Sequence, residues 1–348
     1  MRATVFTAVR CASLSVALIH GCGCAQAASP RTDPDHGLAE QDSARQVPSA
    51  STIVRDGESK LSAGDAAGAR ALFEQAIAEN AHDARAYLDL GLTLEALDDV
   101  EGAERAYASA IENDATLSEA HNNLGVLLRD KGDLPAAIKA FQTALANNAR
   151  SASAHLNLAM AFEDAGAAAD AEVEYRRALE ITPSDAMARA NLGLLLLGIG
   201  RGDDAKRELR IAASHAQGNR AALLGIGNGL RRAGDPGGAV DAVRAAIAAG
   251  DGQPTPALLA ELALAQLAAG ARPAAIETLT QAIELEPGFA VAHYLIANMY
   301  AASQQPALAA THYRRYLELD PNGASADQAR ERLAIVDPGT GRRKRGPN

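Results

Sequence analysis

The chain has 348 residues and a formal net charge of −10, with 33 basic against 43 acidic residues, a balance that argues against nucleic acid as a partner. Hydrophobic residues make up 48% of it, yet aromatics only 3% and Trp is absent, so its core has to be built from Ala and Leu in thin, closely packed helices. Runs of β-branched residues are missing and Gly and Pro fall at regular boundaries, which leaves no room for a parallel sheet or a nucleotide-binding βαβ unit.

Residues 1–27 read as a signal peptide: Arg2 and Arg10 supply a basic start, Cys11 to Ile19 a short apolar stretch, and Ala25-Gln26-Ala27 an A-x-A cleavage site. A second reading stands beside it. Ile19-His20-Gly21-Cys22 resembles the bacterial lipoprotein signal, which would end the leader at residue 21 and make Cys22 the lipidated first residue of the mature chain. Gly23 in the next position would then favour the outer membrane, by the same resemblance. Cys11, Cys22 and Cys24 are the only cysteines and all lie in the first 28 residues, so the folded part that follows has no disulfide or thiol chemistry. Residues 28–49, rich in Pro, Ser, Asp and Gln and without apolar periodicity, read as a disordered linker.

From residue 50 the chain repeats itself. Gly57, Gly91, Gly125, Ala159, Gly193 and Gly227 recur every 34 residues, each followed twelve positions later by an alanine: Ala69, Ala103, Ala137, Ala171, Ala205 and Ala239. Self-similarity at this period marks stacked units that cannot bury their own apolar face alone. Units start at Ala50, Ala84, Ser118, Ala152, Ala186, Arg220, Pro256 and Ala290, with one two-residue break near Gly250 to Pro254, and the array spans 50–323. In the third unit Leu124, Gly125 and Leu128 share one helical face, Gly132-Asp133 makes the turn, and Ala137, Phe141, Ala144 and Leu145 form the facing stripe. Pro183, Pro287 and Pro321 end units four, seven and eight. Residues 324–336 predict one more amphipathic helix, which Ala329, Leu333 and Val336 fit as a cap on the last unit. The basic tail, 337–348, carries Arg342-Arg343-Lys344-Arg345 and reads as a solvated end, with contact to anionic lipid or an acidic partner as the alternative.

This pattern of small residues, turn and terminal prolines resembles the tetratricopeptide repeat. The resemblance implies an all-α fold, a right-handed α-solenoid of about eight helix-turn-helix units with a C-terminal capping helix. It also assigns the inner surface to the first helix of each unit, chiefly its second, fifth, sixth, ninth, twelfth and thirteenth positions.

No catalytic, cofactor or metal constellation is expected. His121, His155 and His293 share the fourth position of their units, where the family carries a bulky, partly buried side chain, and successive units stand ~10 Å apart, too far for one metal ion to bridge. Gly225-Ile226-Gly227-Asn228-Gly229 lies inside a first-helix pattern and follows no strand, so it is not a phosphate loop; it weakens that helix and marks unit six as a candidate hinge.

On the inner surface, Asn123, Asn157 and Asn191 occupy the sixth position of successive units, an asparagine ladder whose amides can donate to and accept from an extended peptide backbone. Beside them Leu88, Leu92, Val126, Leu156, Met160 and Leu194 predict an apolar track, continued by Leu224, Leu264 and Tyr294. Glu95, Arg129 and Glu163 follow at the twelfth position, alternating in sign. The family's chaperone-tail clamp is lacking, since the fifth and ninth positions hold no Lys and Asn in the required places. The reading is a non-catalytic protein-interaction scaffold of the bacterial cell envelope, exported to the periplasm or outer membrane, that binds an extended peptide or amphipathic helix. A secreted protein, a recruiting or regulatory subunit of a separate envelope enzyme, and a self-associating array are the alternatives. With the tail read as a solvated end, membrane contact would come only through a lipid on Cys22.

Overall fold

The computed structural model describes residues 50–249 and 252–337. The leader with Cys22, the 28–49 linker and the Arg342 to Arg345 run lie outside the described residues. All regular structure among the described residues is helical, and it falls into two compact units, 50–183 and 184–337.

The N-terminal unit holds α1 (Ala50–Ser62), α2 (Ala66–Glu79), α3 (Ala84–Ala96), α4 (Val100–Asn113), α5 (Ser118–Asp130), α6 (Leu134–Asn147), α7 (Ala152–Asp164) and α8 (Ala168–Ile181). Each odd helix is returned antiparallel by a tight turn in the left-handed region, at Gly64 (φ 81°), Gly132 (φ 83°) and Gly166 (φ 76°); Asp98 adopts φ 59° at the equivalent place without being glycine. After three of these four turns the next residue caps the even helix: the carboxylates of Asp65, Asp99 and Asp133 accept from the backbone N–H groups of Gly68, Gly102 and Ala136, whereas Ala167 gives α8 no side-chain cap.

Each helix pair of this unit closes on one large ring. Phe73, Tyr107, Phe141 and Tyr175 are fully buried, and opposite the first three stand Gly57, Gly91 and Gly125, where a Cβ would come within 2.7, 2.4 and 2.6 Å of the ring. Glycine there lets the two backbones meet across the ring face, so the period of small residues is a period of helix crossings. Next-but-one helices touch chiefly where both are odd-numbered, α1 with α3 and α5 with α7, which puts the odd helices on the inner side of the curve within this unit.

The C-terminal unit holds α9 (Ala186–Gly198), α10 (Gly202–His215), α11 (Arg220–Arg232), α12 (Pro236–Ala248), α13 (Pro256–Ala268), α14 (Arg272–Leu285), α15 (Ala290–Ala302), α16 (Pro306–Leu319) and α17 (Ala326–Val336). Leu209, Val243, Leu279 and Tyr313 take the place of the buried rings, with Gly193 and Gly227 facing the first two. The three-glycine run lies within α11, and two of its members are packing positions: a Cβ on Gly229 would meet Leu194 at 2.9 Å and one on Gly227 would meet Val243 at 3.1 Å. Of the three, only Gly225 has nothing near it.

The last helix begins at Ala326, two residues later than the periodicity predicts. Residues 321–325 form a turn instead, held by Gly323 N–H to the Asp320 carbonyl (3.4 Å), Ala326 N–H to the Gly323 carbonyl (2.9 Å) and Ser325 N–H to the Tyr316 hydroxyl (3.3 Å). Ala326 and Ala329 are buried against Tyr313 and Tyr316, with Leu333 and Val336 packed beside them.

Candidate partner-binding surface

The inner face of the N-terminal unit carries most of the residues singled out by position. Asn123 on α5 and Asn157 on α7 are half-buried there, but they do not stack directly. Asn157 Nδ2 donates to Asn122 Oδ1 (3.0 Å), and Asn122 Nδ2 donates to Asn123 Oδ1 (3.3 Å). Asn122, at the fifth position of its repeat, thus joins the two ladder residues, a role that inspection of the sixth position alone misses. At the α5 end the buried Tyr107 hydroxyl lies beside Asn123 and Glu95. Burial first, and the Glu95 carboxylate next, push that phenol well above its ordinary range.

One apolar residue departs from expectation. Leu88 does not line an accessible track: it is 2% exposed and packs with Leu94, Ala103 and Tyr107 in the core of its helix pair. Leu92 is exposed, and Val126, Leu156 and Met160 are half-buried. Their common border is polar. Arg129 reaches the Met160 sulfur (3.6 Å), Asp164 (3.4 Å) and Asp130 (3.7 Å), while Tyr175 donates to Glu163 (2.8 Å). Burial, with Asp164 next to it, raises the Glu163 carboxyl above its usual value despite that hydrogen bond.

In the C-terminal unit, Asn191 is half-buried on α9 and Leu194 packs against the core around Leu209 and Leu223. Tyr294 is engaged elsewhere, donating to Gln328 Oε1 on α17 (2.8 Å) and lying 5.3 Å from the Tyr316 ring.

The fourth-position histidines differ by helix pair. His121 and His155 place Nε2 at 3.0 and 3.2 Å from the carbonyls of Ala115 and Ala149, and His155 also sets Nδ1 2.6 Å from Glu174 Oε2. Glu174 in turn accepts from Arg177 (2.7 Å). The buried His155 and Glu174 form the floor of a cavity of about 530 Å³ on the side of α6, α7 and α8, walled by Leu145, Leu158, Phe162 and Val173. Its polar floor is satisfied by these mutual bonds.

Paired antiparallel helices, a glycine against the buried rings and a 34-residue register are the features of one repeat family, and its profile, described as tetratricopeptide repeat, matches residues 122–186, 191–254 and 261–324. A second profile of the same description matches 60–124. The chain belongs to the tetratricopeptide repeat family. Repeats of this family generally serve as protein–protein interaction scaffolds.

Among solved structures, MamA aligns with 46% of this chain and 93% of its own at 26% identity (TM-score 0.43). YrrB, described as a tetratricopeptide repeat protein with an unusual peptide-binding site, aligns with 50% of this chain and 90% of its own at 23% identity (TM-score 0.41). A thermophilic tetratricopeptide repeat protein of Thermus thermophilus aligns with 52% of this chain and 98% of its own at 24% identity (TM-score 0.44). No curated protein matches the chain.

Proposed function

We propose that this tetratricopeptide repeat chain is a non-catalytic interaction scaffold of the bacterial cell envelope, and that the odd-helix face of its N-terminal unit takes an extended peptide or an amphipathic helix. The observation that carries the reading is the run of carboxamides Asn157, Asn122 and Asn123 bordered by the half-buried Leu156, Val126 and Met160. Amides that already bond to one another hold their remaining donors and acceptors in fixed positions, so a partner backbone that docks there costs the scaffold little side-chain entropy. The envelope assignment rests on the leader, whose Ala25-Gln26-Ala27 and Cys22 offer two maturation sites.

The test is photo-crosslinking in a Gram-negative host. A crosslinking residue at Met160 is expected to capture a partner, one at the exposed Val173 on α8 is not, and Leu156→Asp with Asn157→Ala should abolish capture while helicity stays unchanged. Equal capture from Val173 would put the partner on the other side of the repeats and end the groove reading. Intact mass of the same material distinguishes a start at acylated Cys22 from one at Ala28.

A further inference from the structure

The packing of odd on even helices brings the fourth position of a repeat against a residue nineteen places later. In two repeats this pair is a base with an acid: His155 Nδ1 stands 2.6 Å from Glu174 Oε2, and Arg189 Nη1 stands 2.8 Å from Glu208 Oε2. In the last repeat the same register sets imidazole against imidazole. His293 on α15 and His312 on α16 meet Nδ1 to Nδ1 at 3.0 Å with ring centroids 5.2 Å apart, a head-to-head hydrogen bond in which one ring donates and the other accepts. His293 is buried, His312 is half-buried, and the Tyr300 ring lies 5.7 Å from that of His312.

We propose that this pair is an acid-triggered latch on the C-terminal cap: it holds α15 to α16 while it carries at most one extra proton, and a second proton parts the rings and loosens α16 and α17. The proton count follows from the geometry. In the neutral pair the donor ring has its proton on Nδ1 and the acceptor ring has its own on Nε2. A first added proton enters at Nε2 of the donor ring and leaves the bond between them intact. A second has only the accepting Nδ1 to enter, which would set two N–H groups and two positive charges face to face across 3.0 Å.

The surroundings offer that charge no relief. No carboxylate pairs with either ring among the described residues, and α15 has no other titrating side chain near the pair than Tyr300. On α14, Arg272 bonds to Ser303, and Glu277 and Glu284 are exposed. On α16, Arg314 pairs with Asp337 and Arg315 with Glu318; on α17, Arg330 pairs with Asp327 and Arg332 bonds to Asn298. Burial holds both imidazoles below the ordinary histidine range, and for His293 the neighbouring His312 and Arg315 add to it. The opened helices therefore bind more protons than the closed ones once pH falls through the ordinary histidine range. The latch is at full strength above that range and is lost below it, each excess proton raising the opening equilibrium about tenfold per pH unit. The route to the cap is short: His312 precedes Tyr313, whose ring packs with Tyr316 against Ala326 and Ala329, and Tyr300 borders both His312 and this cluster.

Hydrogen exchange of the full chain at about pH 7.5 and about pH 5.5, corrected for the intrinsic rate of exchange, reads the opening directly. Wild-type α16 and α17 should open at least about tenfold more at the lower pH, while α7 and α8, with His155 and Glu174 at the same register, keep their protection. His312→Glu rebuilds that base–acid pair in the last repeat, leaves His293 a partner, and should abolish the acid response. Imidazole nitrogen NMR of the wild type counts the protons without any variant: the first should enter with the pair intact, the second only as the α16 amides lose protection. Equal opening of α16 and α17 at both pH values, an acid response that survives His312→Glu, or two protons taken up with protection unchanged overturns the proposal.

Discussion

A Cβ on Gly91 would stand 2.4 Å from Cε1 and 2.6 Å from Cδ1 of Tyr107, a side chain with no exposed surface. The ring has nowhere to move, so Gly91→Ala forces α3 and α4 apart and should cost about 1–3 kcal/mol, more than the ~1 kcal/mol of helix propensity it gains. Gly225→Ala is the counter-experiment: nothing lies within 4 Å of that position in α11, and the substitution should stabilise by about 0.5–1 kcal/mol. Opposite shifts in urea midpoint are the expected result, and equal ones would refute the packing account.

Asp89 on α3 is buried, and burial, reinforced by Glu58 and Asp83 and opposed by Arg85, pushes its carboxyl up to about 6. Between about pH 4 and 6 the folded chain therefore keeps a proton that the unfolded chain has released, and stability falls as pH rises across that window, then levels off. Asp89→Asn should match the wild type near pH 4 and exceed it by about 1–2 kcal/mol at about pH 7.5, after allowing for the lost Arg85 pair. Denaturation of both proteins at the two pH values reads the difference directly.

His155 and Glu174 are both nearly inaccessible, with 8% and 9% side-chain exposure. Glu174→Leu alone strands the imidazole and should destabilise by about 2–4 kcal/mol, whereas His155→Phe with Glu174→Leu should recover most of that loss. A double-mutant cycle with no coupling would show that the two side chains act independently.

Ala329 sits fully buried between α16 and α17, against Tyr313 and Tyr316. Ala329→Asp places a charge there and should release the last helix, at a cost of about 2 kcal/mol or more. Hydrogen exchange is expected to accelerate in α17 and α16 first, while the N-terminal unit keeps its protection; uniform acceleration would contradict a local capping role.

The helices were legible because burial in a solenoid repeats with the chain: turn glycines, capping Asp residues and ring-facing glycines announce themselves again 34 residues later. The inner surface was less legible, and for a geometric reason. Asn157 bonds to Asn122, 35 residues away, and His293 meets His312, 19 away; neither spacing is the repeat period, since one joins neighbouring odd helices on a diagonal and the other crosses within a pair. The recurrence of 19 in His155–Glu174 and Arg189–Glu208 was present in the sequence and would have revealed the pair. Leu88 misled because a position on the inner face of most repeats sits here one ring deeper, against Tyr107.

The carboxamide run also has a sense. Asn157 on α7 gives to Asn122 on α5, and Asn122 gives to its neighbour Asn123, so the donors run one way along the row, with an acceptor left at the α7 end and a donor beside Tyr107 at the other. Turning any one amide over would oblige its neighbours to turn with it. The row is therefore an arrow, able to tell the amino from the carboxyl direction of a backbone laid along it without touching a single side chain.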